Sequence, residues 1–556
     1  MKKYIYIVAL VFLSQSCEES FDKMPQGNPT VDEFYGNLTE MSLGVNAIYD
    51  ILGTDIWQQN HARIGSGTSD EMTHQTVTLT PAGEVVTYKA TPQNQHIVDY
   101  WQTSYRAIFR ANMVIANSDK VVIYDQVAGT SEQFHDLLGQ AKFLRAFFYF
   151  NLVRTFGGVP IKPEVFSIDA NGSDNFIQAR SSIEEVYKYI EKDLREASVL
   201  LYSSNRGDQT RNGRVMRGAS LSLLAKVIAY QAKHGMSDPR WREVLKFTDH
   251  LVNSSVITLS DILNLKQAFD GESIADLAAR LYYSDTTLNE SLKFYNDYNL
   301  ALSSSYDLMF HAEGENTVEW IFYANHIANT TTSFSYGSNG TYPGGLTDLQ
   351  PNKYYEDLSI STQDPRLLSS IAGPGRVCYR GAGYPSEPLG AVADPAKTEN
   401  LKWRNYRNEE PQKDSERNFG ILRYGEMILW HAEALNETGD PRQAIDEINK
   451  LRNRAKLIPE TRLGGLANKI KNVPYGTYLQ VRNTIWTERQ YELHFEFDRF
   501  FDLQRTGQMV EQILKKTKSQ TSDYQSQYVD EINKVFPIPQ WEIDISNGIV
   551  VQNPGY

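Results

Sequence analysis

The chain has 556 residues, 41% hydrophobic and 12% aromatic, with a formal net charge of -13. That length buries a large core without covalent staples and allows two or three lobes. The acidic balance argues against nucleic acid, which is held through Lys and Arg surfaces, and disfavours adsorption to an anionic membrane.

The chain opens MKKYIYIVALVFLSQSCEES. Lys2 and Lys3 precede an apolar run, Tyr4 to Leu13, which suits a signal peptide and is too short for a span of ~20 residues. Residues 1–16 are therefore expected to be removed. Cys17 sits where a lipoprotein peptidase would cut, and the stretch resembles a bacterial lipobox, with Leu13 four residues before the cysteine and Ser14 in the usual leucine position. Cys17 is expected to carry the lipid anchor, and Glu18 and Glu19 resemble the acidic tether of surface-exported lipoproteins. The one other cysteine, Cys378, is then left without a disulfide partner, so stability must come from packing.

The mature chain reads as helices joined by long polar loops. In EQFHDLLGQAKFLRAFFYFNLVRTFGGVP, Phe134, Leu137, Leu138, Ala141, Leu144, Phe148 and Leu152 recur at helical spacing and predict one buried face, stopped by Gly157, Gly158 and Pro160. Earlier, Trp101 shares core spacing with Tyr105, Ile108 and Phe109. Two later segments, from Arg217 and from Ile421, each run helix, turn, Asp-Pro-Arg, helix. Asp238 and Asp440 suit the caps and Pro239 and Pro441 the first turns. Hairpins of about tetratricopeptide length, with Ala219, Ala225 and Ala229 in one and Ala432, Ala434 and Ala444 in the other, predict tetratricopeptide-like stacking. Their separation rules out a simple tandem array.

Between the hairpins, residues 255–418 are rich in Gly, Ser, Thr, Asn, Pro and aromatics, as in HIANTTTSFSYGSNGTYPGG. Long loops on a rigid scaffold often carry function. Trp320 and Phe322 alternate as in a half-buried strand. The expected division is a signal peptide over 1–16, an N-terminal helical region over 17–254, a loop-rich ligand-binding lobe over 255–418 and a C-terminal helical region over 419–556.

Four segments together resemble the SusD/RagB family of outer-membrane nutrient-binding lipoproteins: AKFLRAFFYFNLVRTFGGVP, RYGEMILWHAEALNE, TERQYELHFEFDRFFDLQRTG and the ending VFPIPQWEIDISNGIVVQNPGY. SFDKMPQGNPTVDEFY and the SDE at 69–71 extend the likeness to nearly the whole mature chain. Phe497 departs from it, standing where the family more often has Gly. The resemblance implies a mainly α fold, with a tetratricopeptide-like scaffold carrying a loop-rich second lobe. It also implies no catalytic activity, a glycan or other nutrient as ligand, and a TonB-dependent SusC-type transporter as partner in the outer membrane.

The residues supply no competing chemistry. Glu488, Glu492 and Glu496 lie four apart beside His494, and paired carboxylates suit a glycosidase. Yet Arg489, Arg499 and Arg505 interleave with Glu492, Asp498 and Asp502, so helical charge pairing explains the run. No HExxH, CxxC, Walker or GxSxG motif occurs, and no metal or cofactor is expected. A surface-tethered glycosidase or lyase, or a binder of peptide or another non-sugar nutrient, are the alternatives. A sugar site needs flat aromatic platforms and planar polar groups. Tyr336 and Tyr342 are the chosen platforms, Tyr88 and Trp403 further candidates, and Asp70 and Arg380 the hydroxyl partners.

Overall fold

The computed structural model describes residues 34–556 except 75–79, 123–128, 165–174, 205–212, 265–268, 270, 284–287, 290, 311–316, 326–348, 373–376, 380–387, 392–398, 401, 403–417, 461–462, 464–465 and 520–534. The N-terminal helices are α1 (Leu38–Leu52), α2 (Asp55–Ala62), α3 (Gln95–Ala116), α4 (Thr130–Phe156), α5 (Ile183–Leu200), α6 (Arg217–Gln231) and α7 (Arg240–Asn253). The C-terminal set is α8 (Tyr424–Glu437), α9 (Pro441–Ala455), α10 (Tyr478–Glu492), α11 (Arg499–Thr506) and the short α12 (Gln540–Ile545).

Neighbours pack in sequence from α4 through α5, α6 and α7, and then α7 packs on α8, which holds α9 and α10. The two hairpins separated by the long middle segment are thus consecutive in space, and that segment is an insertion into one helical stack. Asp440 caps α9 by accepting from the Gln443 amide at 3.0 Å, with Pro441 in the first turn. Asp238 accepts from the Arg240 amide at 2.9 Å, but Pro239 and not Asp238 takes the N-cap position of α7, so the expected cap sits one residue too early there. Ala432, Ala434 and Ala444 are fully buried, which lets these helices approach closely.

Helix α4 differs from its expected single buried face: every residue from Phe134 to Phe156 is buried. It runs between α1, α3 and α5, so its polar side also meets protein. Arg145 there makes a fork to Asp193 at 2.7 and 2.8 Å, and Lys142 reaches Glu196 at 2.8 Å. Buried charges persist only when paired in this way. Gly157, at φ +75°, ends the helix.

Trp101 is in the core, but Phe109 is 43% exposed. Eight residues along, a helix has turned about 80° from its starting direction, which carries Phe109 off the buried stripe.

Two short antiparallel ribbons connect the insertion to the stack. Strand β1 (Met72–His74) pairs with β3 (Leu349–Pro351), with Met72 opposite Pro351 and His74 opposite Leu349. Strand β2 (Trp320–Ala324) pairs with β4 (Phe419–Arg423), Trp320 opposite Arg423. The β4 strand leads directly into α8.

Candidate functional site

The β1–β3 ribbon rests on a buried polar base. Just before β1, Asp70 receives a fork from Arg499 of α11, with Nε and Nη2 donating at 2.9 and 3.0 Å. The Asp70 carbonyl accepts from Asn352 Nδ2 at 2.5 Å, and the Asn352 amide donates to the Glu71 carbonyl at 3.0 Å. Asn352 also caps the following helix, Lys353–Thr362, through its side-chain oxygen. One asparagine therefore joins both strands to the scaffold.

Beneath Asp70, the turn Arg63–Gly67 closes on the turn Phe495–Phe497. A Cβ on Gly65 would stand 1.7 Å from the Phe497 carbonyl oxygen, so the contact needs glycine. Phe497 itself adopts φ +65° and stacks on Phe419 at 5.3 Å between ring centroids. A left-handed backbone there explains why glycine suits the position; in this chain aromatic packing offsets the strain.

Glu71 is buried and accepts from the Ser66 hydroxyl at 2.7 Å. Burial, reinforced by the neighbouring Asp70 charge, pushes its carboxyl up to about 8. The unfolded chain titrates this group near 4.3. The folded state consequently binds the extra proton between those values, and stability falls as pH rises through that window. Glu71→Gln should match the wild type near pH 5 and exceed it at pH 8.5 by on the order of a few kcal/mol in denaturant titrations. Parallel pH profiles would show that Glu71 is not protonated in the fold.

Asp70 and Tyr88 are brought together here, but not as solvent-facing ligand contacts. Asp70 is fully buried in its ion pair; Tyr88 is buried against Phe500, and its hydroxyl donates to the Thr68 carbonyl. Neither offers a free polar atom or an open ring face, because α11 and the turn after Gly67 cover them. Both support the base of the ribbon. Tyr336, Tyr342, Arg380, Trp403 and Cys17 lie outside the described residues.

The carboxylate run of α10 is committed to the scaffold. Glu492 accepts from Arg366 at 3.0 Å, Arg423 at 2.7 Å and Arg454; Glu488 meets Arg366 at 2.6 Å and Arg452 at 2.8 Å. Glu496 meets Arg423 at 2.7 Å and Lys402 at 2.6 Å, while Glu319 meets Arg423 and Arg454. Burial alone would raise Glu492, yet Arg454, Arg423 and Arg366 hold it far below the carboxylate range. A general acid needs the opposite environment. The helical pairing is borne out only in part: Arg505 meets Asp502 of the same helix at 2.8 Å, whereas Arg499 pairs with Asp70, Asp498 with Arg154 and Lys226, and Arg505 also with Glu433. Lys402, Arg366 and Glu319 come from the insertion, so this network fastens it to the C-terminal helices.

Among the described residues, no group of three His, Cys, Asp or Glu side chains converges as a metal site, and no helix is long and apolar enough to cross a membrane.

Two family models match the chain: the SusD family over residues 336–556, and a family described as "Starch-binding associating with outer membrane" over residues 18–228. The chain belongs to the SusD/RagB family. A SusD-like protein of Formosa agariphila, P38, is 24% identical over 92% of this chain and 93% of its own length. The fold is shared with solved SusD structures. A SusD homolog from Bacteroides thetaiotaomicron superposes with TM-score 0.70 at 21% identity, covering 95% of this chain and 98% of that one. A laminarin-binding SusD-like protein gives 0.61 at 19% identity, covering 94% and 100%. The tetratricopeptide-like helical scaffold is thus that of SusD.

Proposed function

We propose that this chain is a cell-surface lipoprotein that captures a glycan and passes it to a TonB-dependent SusC-type transporter without cleaving it. The observation that carries the reading is the way the scaffold holds the insertion. Both ends of the aromatic-rich segment 326–348 are continuous with ribbon strands, β2 before it and β3 after it, that pair with the N-terminal and C-terminal parts of the family scaffold. A buried base this rigid gives the segment fixed ends, which lowers the entropy lost when a loop closes on a ligand. Family membership supports glycan as the ligand class, since one matched family is described as starch-binding and one structural neighbour binds laminarin.

In this reading residues 255–418 form the ligand lobe, Tyr336 and Tyr342 stack on pyranose faces, Trp403 is a further platform and Arg380 a partner for hydroxyls. Cys17 carries lipid and tethers the protein to the outer membrane. Lipid-anchored, and with no helix among the described residues long and apolar enough to cross a membrane, the protein hands its ligand to a transporter for passage inward.

Affinity electrophoresis against a panel of polysaccharides, run beside a reducing-end assay, tests this. Retardation without release of reducing ends is expected. Tyr336→Ala and Tyr342→Ala should each weaken retention by roughly 1–3 kcal/mol with the melting temperature nearly unchanged. Release of reducing ends would favour a tethered glycosidase or lyase. Retention untouched by both substitutions would place the site elsewhere, and no retention by any glycan would favour a peptide or other non-sugar nutrient.

A further inference from the structure

A cleft lies on the helical scaffold, lined by no residue of 255–418. Its volume is about 480 Å³, within the size range of small-ligand sites. One wall is the outer face of α3, carrying Gln102, Tyr105, Arg106 and Phe109; the facing wall is Trp541 and Ile545 of α12, with Phe176 closing one side. Trp541 is 49% exposed and Phe109 43%. Apolar side chains around a concave surface, with a few polar groups among them, are the lining expected of a small-ligand pocket.

The floor is built and satisfied. Glu542 accepts from Lys162 Nζ at 3.1 Å and from Trp101 Nε1 at 3.4 Å, Lys162 also donates to the Phe176 carbonyl at 2.8 Å, and the Tyr105 hydroxyl donates to the Pro160 carbonyl at 2.8 Å. The walls are different. Arg106 and Gln102, one helical turn apart, make no hydrogen bond or ion pair among the described residues. A guanidinium with no partner among the described residues, lining the same cleft as a half-exposed indole, is notable in a chain of net charge -13. The combination has a clear chemical complement. The indole suits the C–H face of a pyranose, the amide suits ring hydroxyls, and the guanidinium fork matches a carboxylate.

We propose that this cleft binds an acidic pyranose, of the uronate class, with Trp541 as platform and Arg106 as carboxylate partner. The ligand class rests on the glycan-capture reading; the location does not, since it is separate from the insertion.

The test uses the mature chain labelled with 5-fluorotryptophan, with Trp541→Phe assigning the Trp541 fluorine resonance. Trigalacturonate should shift that resonance saturably, and maltotriose should need at least a tenfold higher concentration. Arg106→Ala should weaken the trigalacturonate response at least tenfold without altering the melting temperature. No shift with either sugar, equal responses to both, or an unchanged response in Arg106→Ala would overturn the proposal. So would a Trp541 shift that depends on protein concentration alone, which would make this face a contact between copies. A silent Trp541 in a protein still retained by a glycan gel removes only this site. A trigalacturonate shift in a protein that no gel retains leaves the cleft standing and removes capture through the insertion.

Discussion

Glu492→Gln should lower the unfolding free energy by about 3–5 kcal/mol, the usual cost of removing one partner from a buried ion pair. Three guanidinium groups, those of Arg366, Arg423 and Arg454, converge on this carboxylate with both sides fully out of solvent. Glutamine keeps the volume but supplies no charge, so three guanidinium groups lose the counterion they share where water cannot reach them. Glu319, Glu488, Glu496 and Asp364 remain as counterions, so the loss is finite. Guanidinium chloride unfolding at neutral pH measures it, and a change under 1 kcal/mol would show that the network re-pairs around the gap. The pH dependence has a definite sign. Glu492 is held below its unfolded value, so its stabilisation is present above the ordinary carboxylate range and is lost as pH falls. The variant should therefore lose less stability on acidification than the wild type.

Asp70→Asn should cost a similar ~3–5 kcal/mol, for the same reason, by stranding Arg499 in the core. Its structural consequence is more local. Asp70 precedes β1, and its carbonyl receives the Asn352 side chain, so loosening the pair frees the junction of β1, β3 and the helix at Lys353. Amide exchange at Met72, Thr73 and Gln350 should accelerate well beyond that of α4. Glycan retention, measured where the variant is still folded, should weaken only as the ribbon loosens and recover at lower temperature. If Asp70→Asn abolished retention with stability within 1 kcal/mol of wild type, Asp70 would be a direct ligand contact after all.

Together these substitutions separate two roles that one dimensional spacing confuses. The α10 run has the composition of a catalytic pair and the environment of a structural clamp, because every carboxylate in it faces a guanidinium or ammonium. Lys402 illustrates the same point: burial pulls it down to about 8 against the opposing pull of Glu496, yet its ammonium is enclosed by the Tyr306 hydroxyl, the His494 carbonyl and the Phe310 ring. These groups hold the insertion in place.

By itself the sequence determined the helices, the Asp440 cap and the small-residue contacts of the hairpins. Each depends on residues within a turn or two, where spacing and backbone propensity settle the outcome. The family segments were legible for the same reason: they are contiguous runs such as FGGVP at the end of α4. Only the tertiary structure decided the rest. Asp70 and Arg499 pair across 429 positions, Glu319 and Arg454 across 135, and no periodicity reports such distances. Tyr88 read as a candidate sugar platform and is buried because α11 arrives from the far end of the chain to cover it. Phe109 read as core and is open because helix geometry turns it away. A signal for the Arg106 cleft did exist, in the tryptophan of PIPQWEI near the C-terminus, but its partner wall on α3 lies more than four hundred residues earlier in the chain. Burial of a charge or an aromatic ring is favourable only when specific neighbours replace water, and those neighbours are chosen by the packing of the whole chain.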